Sequence, residues 1–255
     1  MNIVGDIAGQ YRALLRLIDK MPKDHLIALG DLCDRGPESK EVIEFMMKNG
    51  ESLKGNHEHI LLDFYDEGDY YHREIWIING GLETIKSFSK EKFKRNIEEI
   101  ESRLVDYFRD KYLNVQIINQ EEIDEDISNL RIYFKNSISK KTIKWLRNLP
   151  LYKELDDYIL THAPINPSIK FNRTLDVGEN VYDSKCDNSL IWNRGRPSPK
   201  GHDKIQIFGH NAYKNAHWLT KKGLGRFALA LDSSAGNKLS GYSTVMKEIY
   251  EENYD

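Results

Sequence analysis

Two rhythms of apolar residues alternate along the first sixty positions. Short apolar runs at Asn2-Ile3-Val4, His25-Leu26-Ile27-Ala28-Leu29 and Ser52-Leu53-Lys54 predict strands. Between them Tyr11, Leu14, Leu15, Ile18 and Met21 recur at helical spacing. Val42, Ile43, Phe45, Met46 and Met47 mark a second helix, which stops at Asn49-Gly50. The result is a strand–loop–helix unit repeated three times. In open α/β sheets of this kind, ligands sit beyond the carboxyl ends of the strands. Asp6, Asp31 and Asn56 fall at that position.

The pattern changes from about Lys90 to Trp145. Phe93, Ile97, Ile100, Leu104, Tyr107 and Phe108 keep helical spacing inside a strongly charged stretch, and residues 121–126 are mostly acidic. Two readings stay open for this helical insert. It is a cap with a solvated face, or a lid or partner-docking element over a site. The remainder is strand-rich. Tyr158-Ile159-Leu160 ends at Thr161-His162, Ile205-Gln206-Ile207-Phe208 at Gly209-His210, and Phe227-Ala228-Leu229-Ala230-Leu231 at Asp232. Ser243-Thr244-Val245-Met246 predicts a final strand. With no linker or solenoid period, the expected fold is α/β (α+β). It is a two-layer β-sandwich flanked by helices, one domain over residues 1–255, with the helical insert at about 90–145.

Composition narrows the function classes. At 255 residues the chain can bury one sizeable core. Its net charge of −3 gives no basis for non-specific nucleic-acid binding, so a nucleic acid is expected only as a substrate in a local groove. No apolar run approaches the roughly 18 residues of a membrane span. A cleaved signal peptide is not expected either, because it would remove the motif that starts at Gly5. Cys33 and Cys186 lack metal-knuckle spacing and point to a reducing, cytoplasmic setting.

The candidate chemistry lies at the strand ends. Gly5-Asp6-Ile7-Ala8-Gly9, Gly30-Asp31-Leu32-Cys33-Asp34-Arg35-Gly36, Gly55-Asn56-His57-Glu58, Thr161-His162-Ala163 and Gly209-His210-Asn211 follow in order. Together they offer oxygen and nitrogen donors suited to two adjacent divalent metals. Asp6 and Asp31 are candidates for the first metal, with Asp31 as the bridge. Asn56, His162 and His210 are candidates for the second. His57 can donate a proton to a leaving oxygen, and Asp34 can accept its other ring N–H. Arg35 and Arg194 can grip phosphate oxygens through a planar fork, with Arg196 as an alternative to Arg194. Trp192 is expected to pack and hold the Arg194 loop.

These motifs resemble the phosphoprotein phosphatase branch of the calcineurin-like metallophosphoesterases, in particular the lambda-phosphatase type of small bacterial and bacteriophage enzyme. The branch pattern is GDxHG, GDxxDRG, GNHE, a later His before Ala or Gly, and a final GH. The resemblance extends to Trp76-Ile77-Ile78-Asn79-Gly80-Gly81, Leu149-Pro150-Leu151 and Ile191-Trp192-Asn193-Arg194. It implies two divalent ions, manganese first with iron or zinc as alternatives, and direct attack on phosphorus by a hydroxide bridging them. It implies the same roles for Asp6, Asp31, Asn56, His162, His210, His57, Asp34, Arg35 and Arg194, with Asn56 also touching phosphate.

The departure is Ala8, which stands where the pattern has a first-metal histidine. Three readings stay open: a natural subgroup with a weaker first site, an engineered substitution, or lost activity with a retained binding role. His59 is read as a helix residue near the site rather than a replacement ligand. The expected activity is hydrolysis of phosphoric esters, first as a serine/threonine protein phosphatase. A nucleotide, dinucleoside-polyphosphate or nucleic-acid phosphoesterase is the alternative. A catalytically impaired metal- or phosphate-binding module is the further alternative.

Overall fold

Two five-stranded sheets face each other. The protein is described by a computed structural model covering residues 1–68, 70–112, 120–166, 189–199 and 203–255. In the first sheet β1 (Asn2–Val4), β2 (Leu26–Ala28) and β3 (Gly50–Ser52) run parallel. The second sheet is built from β4 (Tyr152–Glu154), β5 (Tyr158–Thr161), β6 (Ile205–Phe208), β7 (His217–Lys221) and β8 (Gly225–Ala230). Its order is β4-β5-β6-β8-β7, and β5, β6 and β8 are parallel. On the far side of β1, β9 (Lys238–Ser243) and β10 (Glu248–Asn253) pair antiparallel, completing the first sheet in the order β10-β9-β1-β2-β3.

The period-two alternation of the strands explains the layering. Ile3 and Ile27 point between the sheets, where they meet Leu160, Ile207, Leu229, Leu231 and Tyr242. Val4 and Ala28, one residue on, point the other way into the helices. There α1 (Tyr11–Lys20) buries Ala13, Leu14 and Leu17, and α2 (Ser39–Asn49) buries Val42, Ile43 and Met46. The expected two-layer sandwich with flanking helices is therefore the observed architecture.

On the helical side, α3 (Asn56–Asp66) is followed by α4 (Tyr70–Trp76), a π-helical turn at Ile77–Gly81 and α5 (Leu82–Phe88). The charged stretch then forms α6 (Glu91–Tyr112), α7 (Gln120–Ser137) and α8 (Lys140–Arg147). Its apolar stripe of Ile97, Ile100, Leu104, Ile123, Ile127, Leu130 and Phe134 is continuous with the core under α1 and α2. Arg103 donates to both Asp126 oxygens, at 2.7 and 2.6 Å, which ties α6 to α7. Asp126 is buried by that bridge, while Glu121, Glu122, Asp124 and Glu125 face outward. This agrees with a solvated face over a packed stripe. No described helix is long and apolar enough to cross a membrane.

The final strand expected at Ser243–Met246 is displaced. β9 ends at Ser243, and residues 244–247 form a turn with Lys247 at φ 57°. Val245 and Met246 are exposed, so their apolar character is not used by a sheet. The last strand is the charged Glu248–Asn253, which pairs through its backbone with β9. Cys33 is buried, and burial pushes its thiol well above the usual range; Cys186 lies outside the described residues.

Phe134 joins α7 to the rest. Its ring is fully buried and lies 5.4 Å from Trp76, 5.9 Å from Phe88 and 6.5 Å from Phe64. Phe134→Ala is expected to lower the unfolding free energy by about 3–5 kcal/mol in urea titrations, as large-to-small core substitutions do. A loss below about 1 kcal/mol would show that the helical stretch is not part of the cooperative core.

Candidate metal and phosphate site

Six parallel strands point their carboxyl ends at one place. β1, β2 and β3 deliver Asp6, Asp31 and Asn56, and β5, β6 and β8 deliver His162, His210 and Asp232. The chain turns sharply there. Ala8, Asp31, Asp34, Arg35 and His210 all have positive φ, between 48° and 71°. Such non-glycine residues are strained and cluster where the surroundings hold a functional geometry. Two glycines are required by close approach. A Cβ at Gly55 would lie 2.1 Å from Asp31 Oδ1, and one at Gly209 would lie 2.1 Å from Asp6 Oδ1.

Asp31, Asn56, His162 and His210 converge. The ligand atoms of Asp31, His162 and His210 lie within 4.8 Å of one another. His162 Nδ1 donates to Leu29 O at 3.0 Å and His210 Nε2 donates to Trp192 O at 3.3 Å. Their remaining nitrogens each lie 2.9 Å from Asn56 Oδ1. With one ring N–H already used, a neutral imidazole offers only a lone pair at the other nitrogen. Burial is the main force lowering both imidazole pKa values, so both rings are neutral donors. Nitrogen and oxygen lone pairs thus face one another beside a carboxylate. This donor set fits a divalent cation, and these four residues could hold one.

Asp31 is ionised. Burial opposes its charge, but the imidazoles of His162, His57 and His210 and the His57 N–H outweigh burial and bring the carboxyl down to about 2. The pull of the three imidazoles acts only when they carry protons, so the His57 backbone N–H, 3.0 Å from Oδ1, is the lasting support. Glu58 holds the loop from below. Its carboxylate accepts the N–H groups of Asp31, Leu32 and Gly55 at 2.9, 2.7 and 2.8 Å. Burial and then the Asp31 charge push its carboxyl up to about 7.

Asp6 stands outside that four-residue group. Its carboxylate accepts His210 N–H at 3.2 and 3.1 Å. Burial, then Asp232, then Asp31 raise its pKa well above the carboxylate range, against His210 N–H and Arg35. Crowded buried carboxylates of this kind call for a cation. Ala8 is buried nearby and contributes only a methyl group.

The acid pair is in contact. His57 Nδ1 donates to Asp34 Oδ2 at 2.6 Å. Asp34 is also held by Trp76 Nε1 at 2.9 Å and Thr84 Oγ1 at 2.6 Å. Burial lowers the His57 pKa, but the Asp31 charge and the Asp34 hydrogen bond overcome it, for a net rise. Arg35 Nη2 donates to His57 Nε2 at 3.2 Å. Arg194 is exposed, and its Nη1 reaches His210 O at 3.4 Å; Arg196 is exposed two residues on. Trp192 is buried, and its indole donates to Nδ1 of His59, which lies in α3.

The structure therefore brings the expected residues to one strand-end cleft, with Asp6 and Arg194 at its margins. The sequence reading did not assign Glu58, Trp76, Thr84 or Asp232. Glu58 and Trp76 lie inside quoted motifs, and Asp232 closes a strand run as His162 and His210 do. Thr84 carries no local signal, because only the fold brings it to Asp34.

Residues 2–232 match the calcineurin-like phosphoesterase family, and the chain belongs to that family, whose members are divalent-metal-dependent phosphoesterases. Serine/threonine-protein phosphatase 2 of Escherichia coli is 40% identical over 84 residues, which is 31% of this chain and 37% of that protein. The symmetrical bis(5'-nucleosyl)-tetraphosphatase of Vibrio campbellii is 26% identical over 172 residues, 65% of this chain and 44% of that protein. The matches thus span less than half the length of these two relatives. A crystal structure named for a candidate diadenosine tetraphosphatase shares the fold, with a TM-score of 0.56 at 20% identity, covering 100% of this chain and 93% of that one.

Glu58→Gln removes the charge that three backbone N–H groups share. It is expected to lower the unfolding free energy by about 2–4 kcal/mol and to weaken manganese binding about 10–100-fold. Urea titration and calorimetric metal titration read the two effects. Unchanged metal binding would mean that Glu58 does not set the Asp31 loop.

Proposed function

We propose that this chain is a metal-dependent phosphomonoesterase that acts on phosphoserine or phosphothreonine in proteins. The observation that carries the reading is the His57–Asp34 hydrogen bond, held beside Arg35 and the converging donors of Asp31, Asn56, His162 and His210. On this reading Asp6 and Asp31 hold a first metal, and Asp31, Asn56, His162 and His210 a second. Bound manganese, with iron or zinc as alternatives, would supply Lewis acidity at the phosphoryl oxygens and lower the pKa of water.

The chain's own residues do the rest. Arg35, Arg194 and Asn56 orient the phosphoryl group through charge-assisted hydrogen bonds. In the geometry described, Arg35 donates to His57 Nε2, so that nitrogen carries no proton. A phosphate dianion draws the Arg35 fork to its own oxygens and frees Nε2 to take a proton from solvent. Asp34 stabilises the resulting imidazolium through Nδ1–H. His57 then passes the Nε2 proton to the leaving serine or threonine oxygen.

A dinucleoside-polyphosphate substrate is the second reading. It is favoured by the extent of similarity to the Vibrio campbellii protein, twice the share of this chain matched by the phosphatase 2 relative. The two readings separate in steady-state assays with manganese on a phosphopeptide and on a dinucleoside tetraphosphate. The phosphopeptide is expected to give the higher kcat/KM, and His57→Asn to lower kcat by about 10²–10⁴ with little change in KM. Turnover confined to the dinucleotide would replace the substrate assignment. No turnover of either, nor of an aryl phosphate, would leave only the binding-module reading.

A further inference from the structure

We propose that His59, braced by the His72–Asp63 pair, is a positioning residue for the metal and phosphate site, an inference that rests on the metal-dependent reading of that site and not on its substrate. His59 holds Trp192, whose carbonyl orients the ligand His210 and whose segment carries Arg194.

The segment that must be held has little regular structure. Residues 189–195 form turns and bends outside both sheets. Two groups of the site depend on it. His210 Nε2 donates to Trp192 O at 3.3 Å, which leaves Nδ1 facing Asn56 and a metal. Arg194 follows two residues after Trp192, with Nη1 3.4 Å from His210 O. The backbone is pinned on either side of Trp192. Ser189 Oγ accepts the Ile191 and Trp192 N–H groups at 3.1 Å each, and Asn193 Nδ2 donates to Pro164 O at 2.7 Å. These bonds do not set the direction of the indole, which is placed from α3 and α4.

Trp192 Nε1 donates to His59 Nδ1 at 3.3 Å, so a neutral His59 carries its proton on Nε2. The two rings meet edge to face, with centroids 6.1 Å apart. His72, on α4, lies nearly parallel to the same indole, 17° off at 6.4 Å, and meets the His59 ring at 5.5 Å. Two imidazoles from two helices therefore grip one indole. His72 is buried, and its Nδ1 donates to Asp63 Oδ2. Asp63 follows His59 by four residues on α3, so one helix face carries both ends of the brace.

Polar groups among packed rings are tolerated only when hydrogen-bonded, and once satisfied they specify one arrangement. An indole packed by apolar rings alone would keep its burial but lose the bond that selects its direction. Asn56 is the first residue of the same helix. Through His59, α3 thus sets both the Asn56 donor and the carbonyl that fixes the His210 tautomer.

The test measures manganese binding to the full chain, and inorganic phosphate binding to the manganese-loaded chain, by calorimetry. His59→Phe keeps a ring and removes the acceptor. It is expected to weaken both at least about tenfold, as loss of a group that orients metal ligands does. His59→Asn, which returns an acceptor close to the Nδ1 position, should stay within about threefold of wild type. Trp192→Phe should match His59→Phe, and the double variant should lose no more than either single one. Unchanged binding in His59→Phe, equal losses in the Phe and Asn variants, or additive losses in the double variant would each overturn the proposal. If His59→Phe does not fold, as urea titration would show, Trp192→Phe against Trp192→Phe/His59→Asn decides, because only an independent role for His59 makes the second weaker. None of these readings needs turnover. A wild type that binds manganese but hydrolyses no phosphate ester would sink the phosphatase reading and leave the brace standing, whereas a wild type that binds no manganese would sink both.

Discussion

The charge of Asp31 is the constraint on which the rest of the structure depends. A buried carboxylate is tolerated only when its surroundings supply hydrogen bonds and compensating charge. Here the hydrogen-bond support comes from α3, while the neutral His162 of the second sheet faces the same carboxylate. Glu58 on α3 fixes the Asp31 and Leu32 N–H groups, His57 N–H donates to Oδ1 at 3.0 Å, and His162 on the second sheet sits 3.4 Å from the same oxygen. Asp31 itself is held at φ 51° by the Gly30 turn, where a side chain on Gly30 would strike Gly55. The two sheets must face each other at one fixed offset for these partners to meet. The apolar layer of Ile3, Ile27, Leu160, Ile207 and Leu229 between them sets that offset.

The strand ends were readable because two local signals coincide there. An apolar run of strand length ends at a glycine, and a metal-competent side chain follows. Asp6, Asp31, His162 and His210 carry both signals, and Asn56 follows the same glycine at the start of α3. Asp232 follows its run without a glycine, so only one of the two signals is present there. Trp76 and Thr84 act on Asp34 across 42 and 50 residues of chain. Side chains recruited across such distances by packing leave no spacing to read. β10 was missed for another reason: an edge strand held by backbone pairing needs no apolar alternation, and the exposed Val245-Met246 beside it imitates one.

The helical stretch shows the same division. Its apolar stripe was plain in the sequence, because helical periodicity is local. Where the stripe goes was not, because that depends on Trp76 and Phe64 offering a face to Phe134. Trp76 serves both roles at once. Its ring packs against Phe134 while its N–H holds Asp34, so packing of α7 and orientation of the acid pair share one side chain. Loosening one should therefore disturb the other, even though α7 contributes no donor to the site.

Replacing an imidazole by the methyl group of Ala8 alters more than the number of ligands. A neutral histidine leaves a metal's charge intact, whereas an aspartate cancels part of it. If Asp6 and Asp31 hold the first ion without a histidine at position 8, their carboxylates leave it less positive charge to attract a phosphate dianion. The task of drawing the anion in then falls more heavily on Arg35 and Arg194, both on the exposed rim. Arg35 also lies among the groups that offset the Asp6 charge and contacts His57. An incoming phosphate must therefore compete with the protein's own carboxylates for this guanidinium. Binding of the first ion would relieve that competition by neutralising the carboxylates, so metal loading and phosphate capture are coupled through one side chain.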